Sequence, residues 1–213
     1  MVEIEAFLNA IQRVIVKLFK VHSVCFLCIR GWVSTYYVRM VFHCNGIRFG
    51  RRCRAIGFPS VRVSLGGMAS IGDDFYLRTG VANTDVGNVG SRLHVGAEGS
   101  LKIGHHVGMS NVTIVCHRSV MIGNRVHIGG GVQIFDTDLH SLDPDIRNAD
   151  QEDLSAARTA PVVIRDGCFL GTNAMICKGV TIGENAVVGA GSVVVCDVGA
   201  GEIWAGNPAR KVR

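Results

Sequence analysis

Between Pro161 and Val195 an aliphatic residue returns at every sixth position: Ile164, Leu170, Ile176, Ile182, Val188 and Val194. Glycine follows three of them, at Gly171, Gly183 and Gly189, and a small or branched residue stands four places after an aliphatic at Cys168, Ala174, Val180, Ala186 and Ser192. A helix repeats about every 3.6 residues and a strand every second one, so neither produces a step of six. A coil with three flat faces does, because each face turns one aliphatic toward the axis. Stacked coils of this kind bury a shared core, so the predicted fold is mainly β, a parallel β-helix built on hexapeptide repeats.

The same step recurs upstream. Leu65, Ile71 and Leu77 carry it, as do the pairs Val95–Leu101 and Ile103–Met109, and the strongest early run is Ile122, Ile128 and Ile134 with Gly123 and Gly129 behind two of them. The stretch 80–100 is rich in Gly, Asn and Asp, and irregular or bulged coils are expected there. A step of seven from Val115 to Ile122 reads as one inserted residue. After Ile134 the repeat gives way to a polar, charged segment and returns at Val162, which predicts a long loop projecting from a rigid coil. The chain therefore divides into an N-terminal helical segment (1–43), a β-helix (44–205) with an inserted loop (136–161), and a cationic tail (206–213). Pro208 is expected to end the regular coil and turn the tail outward.

Residues 3–20 read as an amphipathic helix, with Ile4, Phe7, Leu8, Ile11, Val14, Ile15 and Leu18 on one side and Asn9, Gln12, Arg13, Lys17 and Lys20 on the other. Val24 to Phe42 is apolar and aromatic, but Arg30 and Arg39 interrupt it, short of the ~20 apolar residues a membrane span needs. The net charge of +5 is concentrated early: residues 1–60 hold nine Lys/Arg against Glu3 and Glu5. Two readings of residues 1–42 stand, packing against the solenoid and its partners or resting on a membrane surface. The basic cluster at Arg48, Arg51, Arg52 and Arg54 comes without a nucleic-acid motif, so no nucleic acid is expected as a partner. The eight cysteines show no framework, and the lone Cys25-x-x-Cys28 lacks a second pair. Ordinary buried or half-buried thiols in a reducing, cytoplasmic setting are expected, and the acidic start argues against a secretory leader.

His140 opens the long loop directly after a coil, with Asp136 and Asp138 close in sequence. Neutral imidazole near pH 7 suits a general base for a hydroxyl or amine, and a carboxylate beside it can hold the tautomer and stabilise the imidazolium. The Gly-x-Gly strings at 129–131 and 189–191 fall inside hexapeptides, which makes them corner glycines and not a nucleotide loop.

These stretches together, DTDLH opening the loop, APVVIRDGCFLGTNAMICKGVTIGENAVVGAGSVV after it and EIWAGNPARKVR at the end, resemble the left-handed β-helix acetyltransferases. The chain is most similar to the sugar and polysaccharide O-acetyltransferases, over residues 65–213. The resemblance implies a homotrimer with active sites between neighbouring prisms, acetyl-CoA along a coil edge, a carbohydrate acceptor, and His140 as the base. It places a backbone N–H at Gly171–Thr172 facing the thioester oxygen, Ala190 along the pantetheine arm, and Arg210 and Arg213 near the CoA phosphates. Asn111 is the nearest asparagine to the position that holds the acceptor. Val195–Cys196 stands where the family often has Thr-Lys, a departure from the family pattern at one CoA contact. Some relatives hold a zinc-type ion with two histidines five apart on one coil. Here Ile122 stands five after His117 and Val132 five after His127, so no metal is expected and His105 and His106 are assigned to a coil corner. The expected function is acetyl-CoA-dependent O-acetylation of a sugar hydroxyl, of a cell-surface polysaccharide or its precursor. The alternatives are acetylation of a small hydroxylated compound such as an antibiotic or serine, and a non-catalytic assembly scaffold.

Overall fold

The computed structural model describes residues 2–80, 90–148 and 156–213, with side chains from residue 12 onward. A single helix, α1 (Val2–Cys44), precedes the solenoid. The sequence separated an amphipathic first half from an apolar second; the backbone runs through both without a break. The expected contacts of Ile4, Phe7, Leu8, Asn9 and Ile11 lie outside the described side chains. Only the last turns dock: Val38 and Phe42 are fully buried, the Ser34 hydroxyl donates to the Ala55 carbonyl at 2.9 Å, and the Ala55 N–H donates to Thr35 Oγ1 at 3.0 Å. The helix stops at Asn45–Gly46, where Gly46 takes φ +67°, a backbone shape glycine adopts at little steric cost. Among the described residues no helix is long and apolar enough to cross a membrane.

Six coils follow, each giving one strand to each of three parallel sheets. Coil one holds β1 (Arg48–Phe49), β2 (Arg54–Ile56) and β3 (Ser60–Val63), and coil two β4 (Met68–Ile71), β5 (Tyr76–Arg78) and β6 (Arg92–Val95). Coil three holds β7 (Ser100–Ile103), β8 (Gly108–Ser110) and β9 (Thr113–Cys116), and coil four β10 (Ser119–Ile122), β11 (His127–Ile128) and β12 (Gln133–Phe135). After the loop and its short helix α2 (Pro144–Arg147) come β13 (Val162–Ile164), β14 (Phe169–Leu170) and β15 (Met175–Ile176), then β16 (Thr181–Ile182), β17 (Val187–Val188) and β18 (Val193–Val194). The first sheet runs β1-β4-β7-β10-β13-β16, the third β3-β6-β9-β12-β15-β18. The second runs β2-β5-β8-β11-β14-β17 and is extended by β19 (Ile203–Gly206) and β20 (Ala209–Lys211).

Registry stacks like on like. Ile71, Ile103, Ile122, Ile164 and Ile182 form one column across the first sheet. Leu77, Met109, Ile128, Leu170 and Val188 do so in the second, and Leu93, Ile114, Ile134, Ile176 and Val194 in the third. All are buried. Burying each aliphatic is worth about 1.5–3 kcal/mol before chain entropy is counted, and the six-residue step exists to place one on every face of every coil.

Two ladder assignments are corrected. Val115 is only half-buried and faces outward; Ile114 holds the column, five residues after Met109 and eight before Ile122. The corner after β9 is therefore long, with Cys116 buried as an extra inward residue. Leu65 is 98 % exposed, because it lies in the turn between β3 and β4 while Val61 pairs with the third-sheet column. Of the stretch expected to be irregular, residues 81–89 lie outside the described residues, and Arg92–Val95 is a regular strand.

The corners repeat as faithfully as the strands. Between first and second sheets, Arg52, Asp74, His106, Arg125, Gly167 and Asn185 all take positive φ. The residue before each supplies a side-chain ladder: Arg51 N–H donates to Asp73, Asp73 N–H to His105 Nδ1, His105 N–H to Asn124, and Asn124 N–H to Asp166. His105 and His106 belong to this corner stack. The tail also departs from expectation. Instead of turning outward, it folds back as a hairpin, β20 running antiparallel to β19 on the end of the second sheet. The cysteines are all free, but Cys25, Cys28, Cys44 and Cys196 are exposed, against the expectation of buried thiols; Cys53, Cys116 and Cys168 are buried. Burial pushes the Cys116 thiol up to about 12 and the Cys53 thiol to about 11.

Candidate active site

The loop leaves the prism at the corner between third and first sheets, and Asp136 anchors it. This carboxylate is fully buried. Its Oδ1 accepts from His117 N–H and its Oδ2 from both Arg118 and Ser119 N–H, each at 2.7 Å. His117 and Arg118 lie in the long corner after β9, and Ser119 opens β10. Two chains of the loop then form a neck: Thr137 bridges Thr159 in antiparallel fashion, Asp138 N–H donates to Arg158 O, and Ala160 N–H to Asp136 O. Asp138 Oδ1 pairs with Lys178 Nζ at 2.7 Å, while its Oδ2 is buried and accepts no hydrogen bond among the described residues.

Leu139, in the left-handed region at φ +66°, then turns the chain so that His140 stands exposed at the start of the outer loop. Beyond it, α2 is capped by Asp143, whose side chain accepts from Asp145 N–H. Of the two carboxylates expected beside His140, Asp136 is engaged by three backbone donors, and Asp138 pairs through Oδ1 with Lys178. Lys178 was missed in the sequence, although it is the lone cation between Arg165 and Arg210.

Gly171, Thr172 and Ala190 lie on a different edge, between second and third sheets. Gly171 N–H is already bonded to Val188 O at 2.7 Å, so it is not an open donor. The next N–H, that of Thr172, meets no acceptor among the described residues, and neither does that of Ala190 one coil on. Thr172 is half-buried and Ala190 exposed. Gly171 is required here by close approach: a Cβ would come within 2.5 Å of Ala190 N. The outcome is two stacked backbone donors without an acceptor among the described residues on one edge, with a spacing set by the coils.

Asn111 lies on this same edge but as a corner residue. It takes φ +48° at the place filled by Gly80 below it and by Gly131, Asn173 and Gly191 above. It is 2 % exposed, and its Oδ1 accepts from Gly80 N–H at 2.9 Å. Asparagine is a non-glycine residue well suited to this backbone shape, so the position has a structural role in the corner. Arg210 and Arg213 are exposed on the terminal hairpin. Lys211 between them is tied to Glu202, which also accepts from Trp204 Nε1 and Gly199 N–H. The Lys211 ammonium, then the indole and backbone donors, hold the Glu202 carboxyl at about 2. Among the described residues no group of three or more His, Cys, Asp and Glu is placed to hold a metal ion. The His94 and His117 rings lie tilted to each other with centroids 5.8 Å apart, and burial, then the neighbouring His117, lowers the His94 pKa.

Comparison with known proteins agrees with this architecture. Residues 161–196 match the family model of the bacterial transferase hexapeptide, six repeats. The galactoside O-acetyltransferase of Escherichia coli is 32 % identical over 124 residues, 58 % of this chain and 55 % of that protein. The galactoside O-acetyltransferase of Lactococcus lactis is 35 % identical over 98 residues, 46 % of this chain and 44 % of that protein. The chain thus spans about half the length of the curated relatives it matches. A crystal structure of a hexapeptide-repeat-containing acetyltransferase from Vibrio cholerae superposes with a TM-score of 0.53 at 26 % identity, covering 84 % of this chain and 80 % of that one. The prism is a left-handed parallel β-helix, its residues 161–196 carry the bacterial transferase hexapeptide repeat, and the chain is similar to hexapeptide-repeat acetyltransferases.

Proposed function

We propose that the protein transfers an acetyl group from acetyl-CoA to a sugar hydroxyl, with His140 as general base. The observation that carries this reading is the pair of backbone N–H groups at Thr172 and Ala190, on successive coils of one edge and with no acceptor among the described residues. Such donors suit a thioester carbonyl and an amide-bearing pantetheine arm. The exposed Arg210 and Arg213 at the end of the prism suit the phosphates. His140 Nε2 or Nδ1 takes the acceptor O–H proton, and the oxygen attacks the thioester carbon. The oxyanion is held by Thr172 N–H. Collapse breaks the C–S bond, and the imidazolium returns its proton to the departing thiolate, leaving an acetyl ester and free CoA.

The loop with His140 and the donors at Thr172 and Ala190 occupy different edges of the same prism. A homotrimer resolves this, the loop of one copy meeting the donor edge of the next. The two galactoside relatives act on a carbohydrate; here the acceptor is proposed to be a glycosyl hydroxyl of a cell-surface polysaccharide or its precursor. The eight unpaired cysteines suit a reducing, cytoplasmic site of action. His140→Ala should lower kcat with the true acceptor by about 10²–10⁴-fold while leaving melting temperature and CoA binding intact. Turnover of a glycan panel with acetyl-CoA checks it; a His140→Ala protein that turns over normally would overturn the assignment.

A further inference from the structure

The outer part of α1 has no described partner within the chain. Leu18 is 65 % exposed, Phe19 70 % and Trp32 70 %, and Val14, Val21, Phe26 and Ile29 are also exposed, so a broad apolar face runs along the helix opposite Arg13, Lys17 and Lys20. Water does not stabilise such a face; a helix that presents one packs it against something. The charges identify the cover. Between Glu5 and Asp73 the chain holds ten Lys/Arg and no acidic residue. Arg13, Lys17 and Lys20 stand exposed along the outer helix.

Where α1 meets coil one, it leaves an open groove of about 670 Å³ against the second sheet. Its floor and walls include Leu27, Trp32, Ile56 and Tyr76, and its rim carries Arg39 and Arg54. Arg39 lies over the Phe49 ring at 5.7 Å, and neither arginine has a carboxylate at ion-pair distance among the described residues. An apolar slot with two unpaired guanidinium groups at its mouth fits a phosphate joined to hydrocarbon chains.

We propose that α1 and this groove dock the protein on an anionic phospholipid bilayer, with a lipid phosphate at Arg39 and Arg54 and its acyl chain against Trp32 and Leu27. Trp32, Tyr36 and Tyr37 cluster near the β-helix end of α1, which places aromatic rings at the headgroup level where they are favoured. A second copy is the competing occupant, and the surface argues against it. A coiled coil would cover one seam, interrupted at His22, and would leave Val14, Phe19, Val21 and Phe26 in water. It would also bring the cations of two helices together with only Glu3 and Glu5 on each to pair them. The bilayer covers the apolar surface and neutralises the cations at once.

This inference is independent of the acyl-transfer reading, and its test uses no acetyl-CoA. The full chain is sedimented with vesicles of phosphatidylcholine alone and of phosphatidylcholine mixed with phosphatidylglycerol. Binding to the anionic vesicles should be at least about tenfold tighter and should weaken with added salt, and Lys17→Ala and Lys20→Ala should each cost about fivefold. In a Trp204→Phe background, Trp32 emission should shift blue on binding and be quenched by brominated acyl chains. Arg39→Ala with Arg54→Ala should lose that quenching. The double variant Phe19→Glu, Phe26→Glu should lose vesicle binding while keeping the parent's molar mass in solution and its melting temperature. Equal binding to neutral and anionic vesicles, no binding to either, or a fall in molar mass of the Phe19→Glu, Phe26→Glu variant with vesicle binding unchanged would each overturn the proposal, the last in favour of a second copy.

Discussion

Asp136 carries the charge of a catalytic residue and the bonding of a structural one. Three backbone N–H groups converge on it inside the prism, each in a charge-assisted bond. Asp136→Ala leaves those donors buried without an acceptor and should cost on the order of 3 kcal/mol, read from the denaturant midpoint. Asp136→Asn keeps the volume but offers only one acceptor oxygen, and should fall between the two. Glu202 makes the corresponding prediction for pH. Its carboxyl is held below its ordinary 4.5, at about 2, so the clamp it makes on Lys211 and Trp204 contributes fully above pH 4.5 and is lost as pH falls toward 2. Trp204 fluorescence in a Trp32→Phe background should therefore hold its native value well below pH 4.5. Lys211→Ala, which removes the largest cause, should move the change up toward 4.5.

At the scale of the element, the six-residue step was legible because it is imposed by the core: one aliphatic per face has to reach the axis on every coil. What the period could not show is its phase at a corner of unusual length. Leu65 fits the step and is almost wholly in solvent, while Ile114, off the step, fills the third-sheet column. A pair of substitutions measures the difference. Ile176→Ala removes a fully buried side chain stacked between Ile134 and Val194 and should cost about 2–5 kcal/mol. Leu65→Ala should change stability by less than about 0.5 kcal/mol. Asn111 illustrates the same limit for function. In the sequence it is only the asparagine nearest the family's acceptor position, and stacking puts it in a column of glycines and asparagines with one backbone shape.

At the scale of the whole molecule, the proposed site is divided between two edges, and that division predicts complementation. A His140→Ala protein lacks the base. A Gly171→Ala protein, whose new Cβ would press on Ala190 N, distorts the donor edge. Each alone should be nearly inactive, and mixed trimers refolded together should recover turnover, because some interfaces then join an intact loop to an intact edge. No recovery would place both halves of the site within one chain. The sequence by itself determined the solenoid, its buried columns and the loop, since a repeat is local and every coil restates it. Only the tertiary structure decided which carboxylates were available, which N–H groups stayed open and which edge each group occupies. Those depend on what the coil above and the coil below already bond, and no period written along the chain contains that.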